Sequence, residues 1–206
     1  RWHLPLARHH DRGVVTVQGG GRTGLGYTYG AGAAAHPVTE TLARALDGRD
    51  AMDVPRCHRA MVDAVRNMGR SGVAATAISA LDAALWDLKA KLLGVPLASL
   101  LGRARDTVPI YGSGGFTSYD DGQLTRQLQS WVERDGCRAV KIKVGSHPQD
   151  DPRRVRVAKA AIGAAALFVD ANGAYSVKSA IRLAETFAAE AKVGWFEEPV
   201  SSDDLD

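Results

Sequence analysis

Three short apolar runs in the second half of the chain end in ionisable residues. They are Ala139-Val140-Lys141-Ile142-Lys143-Val144-Gly145, Phe168-Val169-Asp170-Ala171-Asn172-Gly173 and Trp195-Phe196-Glu197-Glu198-Pro199. Lys143, Asp170 and Glu197 recur every 27 residues, about the length of one strand, one helix and two short loops. Such a repeat puts the three side chains at the same end of neighbouring parallel strands. In a β/α barrel that end carries the chemistry. Alternation along a strand sends Lys141 and Lys143 to one face and Val140, Ile142 and Val144 to the other. The apolar set must meet the helices, so both ammonium groups face the barrel axis, where Asp170 and Asn172 join them from the next strand.

Asp170 and Glu197 are hard oxygen ligands suited to Mg²⁺, which takes a few carboxylates and keeps positions open for substrate. A Mg²⁺ chelated by a substrate carboxylate stabilises the negative charge that develops when the adjacent carbon loses its proton. An amine base is then needed. A free lysine is mostly protonated at neutral pH, but a second ammonium two residues away and a dication lower it. Lys143, nearer the strand end, is the expected base and Lys141 its electrostatic neighbour. The plainer alternative is that the lysines simply pair with Asp170 and Glu197. Three charged strand ends on consecutive β/α units weigh against that alternative.

Strictly alternating elements must position these groups. Val108 to Tyr111 reads as a strand running into Gly112-Ser113-Gly114-Gly115, followed by a helix from Gln123 to Arg134. After the lysine strand come a helix over about 151–162, the aspartate strand, a helix over about 177–190, and the glutamate strand. Four strands and three helices in this order predict a parallel α/β arrangement with the strands side by side. Gly112 to Gly115 is not a phosphate loop, since no Lys-Ser/Thr follows it.

The first half has a different pattern. Val14 to Gln18 and Leu25 to Gly30 have strand composition around the Gly19-Gly20-Gly21 turn. From Pro37 the period becomes helical through Val38, Leu42, Ala45 and Leu46, with Gly48 as a stop. A second helix is expected from Pro55 to Met68 after Asp53. Val73, Ala77, Ile78, Leu81, Leu85, Leu88 and Leu92 then predict a long helix closed by Gly94 and Pro96. Trp86 and Asp87 beside this stripe are expected to be packing and surface residues, and Gly102 to Arg105 a domain boundary.

The 206 residues are 45% apolar and 24% charged, with a formal net charge of +3. These are ordinary globular values, and no basic run suggests a nucleic-acid or membrane partner. Cys57 and Cys137 match no metal or redox spacing, which predicts a reduced, cytoplasmic setting. His36 and His147 are expected at the surface.

Lys141-Ile142-Lys143, Asp170-Ala171-Asn172 and Glu197-Glu198-Pro199 are joined by the Gly24-Leu25-Gly26 turn and the Ala80-Leu81-Asp82-Ala83-Ala84-Leu85-Trp86-Asp87 helix. Together they resemble the mandelate racemase/muconate-lactonizing branch of the enolase superfamily. The resemblance implies an α/β protein: an α+β capping domain over 1–105, then a (β/α) TIM-like barrel over 106–206, with about its first four strands present. It implies Mg²⁺-assisted abstraction of the proton α to a carboxylate. On that match Lys143 is the base, Lys141 assists, Asp170 and Glu197 bind metal, and Asn172 supports them. Glu198, expected on the opposite face, is an outer partner. Tyr27 and Tyr29, where the family's cap loop lies over the barrel mouth, and Ser113, at the end of the first barrel strand, are candidate substrate contacts; packing is their alternative role.

The family supplies a third carboxylate, a second acid/base and the completion of its cap from later segments, so these residues are expected to belong to a longer protein. A longer, mobile substrate loop is expected around His9-His10-Asp11-Arg12. The implied enzyme is a Mg²⁺-dependent lyase or isomerase that racemises, epimerises or dehydrates a small hydroxy- or sugar-acid, as a homo-oligomer. Asn172, where some sugar-acid dehydratases carry a histidine base, favours the lysine strand as the base. The alternatives are a cycloisomerase or dipeptide epimerase, a catalytically silent fragment or scaffold, and an unrelated barrel that binds anionic sugars through Lys141 and Lys143 without Mg²⁺.

Overall fold

The computed structural model describes residues 6–9, 12–29, 40–69 and 71–204. The chain divides into two units, Arg1–Asp106 and Thr107–Asp206, each with its own buried core. Among the described residues no helix is long and apolar enough to cross a membrane.

In the first unit, β1 (Leu6–His9), β2 (Arg12–Gly19) and β3 (Arg22–Tyr29) form an antiparallel sheet in that order. Gly20 and Gly21 join β2 to β3, both at positive φ (55° and 72°), as a two-residue hairpin connection requires. The sequence pattern does not predict β1. Of the loop expected there, His10 and Asp11 lie outside the described residues, as do His36, Pro37 and Val38. Helix α1 is described over 40–46. α2 (Val54–Ala64) stops before the expected Met68, because 65–68 turn back with Met68 N–H donating to Val65 O at 2.9 Å. α3 (Val73–Leu93) ends at left-handed Gly94, and α4 (Leu97–Leu100) follows Pro96.

Gly24-Leu25-Gly26 is not a turn; it is the middle of β3. The two glycines form the strand's buried face, while Leu25, Tyr27 and Tyr29 are exposed. A Cβ on Gly24 would stand 2.1 Å from Ala84 O, and one on Gly26 1.8 Å from Ala80 O. Helix α3 therefore lies against strand backbone, and its small residues matter as much as its leucines. Val73, expected on the apolar stripe, is exposed, and Ala74 is buried instead. Asp87 proves to be a tie rather than a plain surface group. Its Oδ2 accepts from Leu25 N–H and Lys91 Nζ, both at 2.7 Å, and Lys91 Nζ also donates to Thr23 O at 2.8 Å. These bonds occupy the outer edge of β3.

In the second unit, β4 (Gly112–Gly114), β5 (Ala139–Lys143), β6 (Ala166–Asp170) and β7 (Val193–Glu197) form a parallel sheet in sequence order. Between them run α5 (Asp121–Gln129), α6 (Asp151–Ile162) and α7 (Val177–Ala191). A capping box of Asp120 and Gln123 starts α5, and a π-helical turn over Ser130–Arg134 ends it. The first strand sits later than expected. Val108 and Ile110 are exposed and unpaired with β5, and pairing begins at Gly112, opposite Val140. A Cβ on Gly112 would come within 2.5 Å of the Trp131 ring from the π-helical turn, so glycine there lets that ring cover the strand. Val140, Ile142, Leu167 and Val169 are buried in the core with Leu124, Val155 and Phe187, which leaves the lysines on the other face as alternation predicts.

Candidate active site

Strand register sets the site. Lys143 pairs with Asp170, and Asp170 with Glu197, across β5, β6 and β7, so the three side chains project from one level at the C-terminal ends. Asp170 Oδ2 accepts from Lys143 Nζ at 2.6 Å and lies 3.2 Å from Lys141 Nζ. Lys141 Nζ donates to both carboxylate oxygens of Glu197, each at 2.7 Å. Asp170 and Lys141 are buried, with 2% and 8% of their side chains exposed, whereas Lys143 and Glu197 reach 25% and 32%. The deep pair therefore anchors the site, and the outer pair is open to solvent.

Burial alone would raise the Asp170 carboxyl, but hydrogen bonds from Lys143, the Asn172 amide and Lys141 outweigh it and hold the group below its ordinary value. Burial also works against a charged Lys141; hydrogen bonds to Glu197 and Asp170 outweigh it and raise this lysine. Lys141 thus keeps its proton, the role of an electrostatic neighbour. Its Nζ also stands 5.6 Å from the ring centre of Tyr111, which packs edge-on against Phe168. In the sequence, Tyr111 and Phe168 read only as strand residues. Counting two residues back from Ser113 and Asp170 along each strand is the signal that finds both.

Asn172 and Glu198 follow the strand ends in left-handed conformation, φ 47° and 43°. Asn172 Oδ1 accepts from Lys143 Nζ at 2.7 Å, and its Nδ2 donates to Glu198 Oε2 at 2.8 Å. Strand alternation puts Glu198 on the opposite face, but the left-handed turn cancels that alternation and brings its carboxylate to Asn172. Ser113 is exposed and holds the register position beside Lys141. Tyr27 and Tyr29 are exposed on β3 of the first unit. His147 is exposed as expected.

Two carboxylates at one level of adjacent strands could hold a divalent cation. A positive charge, the Lys141 ammonium, already lies within 3.2 Å of both. Among the described residues no third Asp, Glu, His or Cys joins them. Mg²⁺ commonly takes only one or two protein carboxylates and fills its octahedron with water and substrate, so this donor set fits it.

Residues 6–102 match the mandelate racemase / muconate lactonizing enzyme N-terminal domain, and residues 123–206 match the enolase C-terminal domain-like family. The chain belongs to the mandelate racemase/muconate-lactonizing branch of the enolase superfamily. A solved mandelate racemase/muconate lactonizing enzyme-like protein from Rubrobacter xylanophilus is 52% identical, with a TM-score of 0.88 over 94% of this chain and 54% of that one. L-talarate/galactarate dehydratase from Salmonella typhimurium LT2, solved with Mg and L-lyxarohydroxamate, is 32% identical, with a TM-score of 0.83 over 94% of this chain and 51% of that one. A 3,6-anhydro-alpha-L-galactonate cycloisomerase from Streptomyces coelicolor is 38% identical over 95% of this chain and 56% of its own length. The chain spans about half the length of the relatives it matches. Its parallel sheet with alternating helices is part of the superfamily's (β/α) barrel.

Proposed function

We propose that this protein is a Mg²⁺-dependent enzyme that removes the proton α to the carboxylate of a small hydroxy- or sugar-acid, leading to racemisation, epimerisation or dehydration. The observation that carries the reading is the convergence of Lys141, Lys143, Asp170 and Glu197 at the ends of three consecutive parallel strands. Asp170 and Glu197 would hold the metal. Bound there, Mg²⁺ would supply positive charge beside the substrate carboxylate as its neighbouring carbon becomes electron-rich.

Lys143 Nζ is the base. It takes the proton, and the C–H electron pair stays on the carbon. Asn172 Oδ1 orients that nitrogen, and Glu198 in turn orients Asn172. Lys141 remains an ammonium and stabilises the negative charge. Ser113, Tyr27 and Tyr29 are the candidate substrate contacts. Return of a proton gives racemisation or epimerisation, and loss of a β-hydroxyl gives dehydration; closing or opening a ring instead would give the cycloisomerase chemistry named for one relative. Residues 1–105 are read as the capping domain and 106–206 as barrel, in a cytoplasmic homo-oligomer.

The test is α-proton exchange in deuterated water by the whole protein, with a panel of aldonic and aldaric acids that includes galactarate. Mg²⁺-dependent exchange in the wild type, with weakened Mg²⁺ binding in Asp170→Asn, is expected. Exchange that ignores Mg²⁺, or an Asp170→Asn protein that binds Mg²⁺ as the wild type does, would overturn the reading.

A further inference from the structure

Behind the strand ends, the first turn of α6 holds two buried charged residues that the chemistry above does not use. Arg154 is 8% exposed and Asp151 2%. The Arg154 guanidinium directs its donors to main-chain carbonyls: Nε to Lys143 O at 3.3 Å, Nη1 to Tyr119 O at 3.0 Å, and Nη2 to Gly115 O at 2.9 Å and Phe116 O at 2.6 Å. Gly115 O also accepts the Lys143 N–H at 3.0 Å. Both peptide groups of Lys143 are thereby fixed to one assembly, its N–H through Gly115 and its carbonyl through Arg154.

Asp151 Oδ2 accepts from Gly145 N–H at 2.9 Å and from the Tyr175 hydroxyl. Gly145 sits at φ 101°, and a Cβ there would come within 2.6 Å of the Ala174 Cβ, so the position just past Lys143 requires glycine. Burial, with the Asp151 carboxylate next to it, raises the Tyr175 hydroxyl and keeps it a donor. One helical turn therefore holds the segments that follow β4, β5 and β6. Desolvating a guanidinium is unfavourable, and an apolar side chain would fill the same volume without that penalty. What only the guanidinium supplies is a fixed fork of donors.

We propose that this turn is a clamp that sets the position of the Lys143 amine, with Arg154 and Asp151 as positioning residues for proton abstraction. The inference rests on Lys143 being the base. Misplacing a reacting group by about 1 Å costs on the order of 100-fold in rate.

Arg154→Gln in the whole protein, assayed by Mg²⁺-dependent exchange on the same acid panel, should lose roughly 10–100-fold in turnover, with KM and Mg²⁺ affinity little changed. Amide exchange should speed up at 115–119 and 143–146, and Arg154→Lys should recover part of the turnover. If Arg154→Gln does not fold, Tyr175→Phe, which removes one hydroxyl and keeps the ring, should show the same pattern at smaller size. A folded variant with wild-type turnover overturns the clamp, as does one in which KM and Mg²⁺ affinity worsen as far as turnover does. Exchange that persists at the wild-type rate in Lys143→Met overturns Lys143 as the base instead, so the two failures are distinguishable.

Discussion

In the first unit the closest fit is backbone against backbone: β3 presents Gly24 and Gly26 to the carbonyls of Ala84 and Ala80 on α3. In the second it is ammonium against carboxylate, with Lys141, Lys143, Asp170 and Glu197 meeting at strand ends. The first arrangement leaves no room for an added atom, and nothing in it can exchange a proton or a ligand. The second satisfies its charges by contacts that a cation and a carboxylate substrate could replace. Tight packing serves stability in one unit, while replaceable pairing is suited to chemistry in the other.

The sharpest way to break this comparison is to change one residue in each. Lys143→Met should lower α-proton exchange by about 10²–10⁴-fold, the usual contribution of a general base, with a modest fall in the urea midpoint as buried Asp170 loses one of its two ammonium partners; equal exchange in the variant would remove the distinction. Gly26→Ala should do the reverse in kind. It should cost about 3 kcal/mol or more in urea unfolding, since backbone cannot yield as a side-chain tip can, whereas Gly21→Ala, with open space around it, should cost only its left-handed strain, about 1 kcal/mol.

The pH dependence sharpens the contrast further. Asp170 is held below its ordinary 3.8, so its contribution to stability is in place above that value and fades as pH falls through the lower folded value. Asp87 is held down likewise: burial opposes this, but the Lys91 and Leu25 hydrogen bonds outweigh it. Both units should therefore lose stability in acid. Lys141 is raised above 10.5, so its contribution is complete below that pH and fades as pH rises through the folded value. Melting temperatures measured from about pH 2.5 to 11.5 should show an alkaline loss that Lys141→Met reduces, and Asp87→Asn should leave that limb unchanged. A similarly small effect is expected for Asp87→Asn at neutral pH, about 1 kcal/mol, since the amide keeps an acceptor for Leu25 but loses the charge that strengthens both bonds.

The second unit's order is plain in the sequence because charged residues that end apolar runs at a fixed interval suit few arrangements besides consecutive β/α units. Its helix over 151–162 and the inward lysines follow directly from periodicity. What periodicity does not carry is close approach. Gly24, Gly26 and Gly112 look like turn residues because glycine is usual in turns, yet each is a strand residue covered by a helix. Arg154 and Asp151 lie near the start of a plainly amphipathic helix, where charged residues are expected to face water. Their carbonyl and amide partners are main-chain groups, which leave no mark in the pattern of side chains. The place of Glu198 is hidden for a related reason, since alternation holds only while the backbone stays extended.

The left-handed backbone at Asn172 and Glu198 also restricts what can replace them. At φ 47° and 43°, glycine, asparagine and aspartate are tolerated far better than branched side chains. Meanwhile Ala171 and Gly173 N–H groups bond to the carbonyls of Glu197 and Glu198, holding the two turns side by side. Random libraries at position 172 would therefore report mostly on folding, and the informative alphabet there is very small. Asn172→Asp and Asn172→Gly alter the contact to Lys143 without contesting the path of the chain, so new specificity is more readily sought at Ser113, on the extended strand β4.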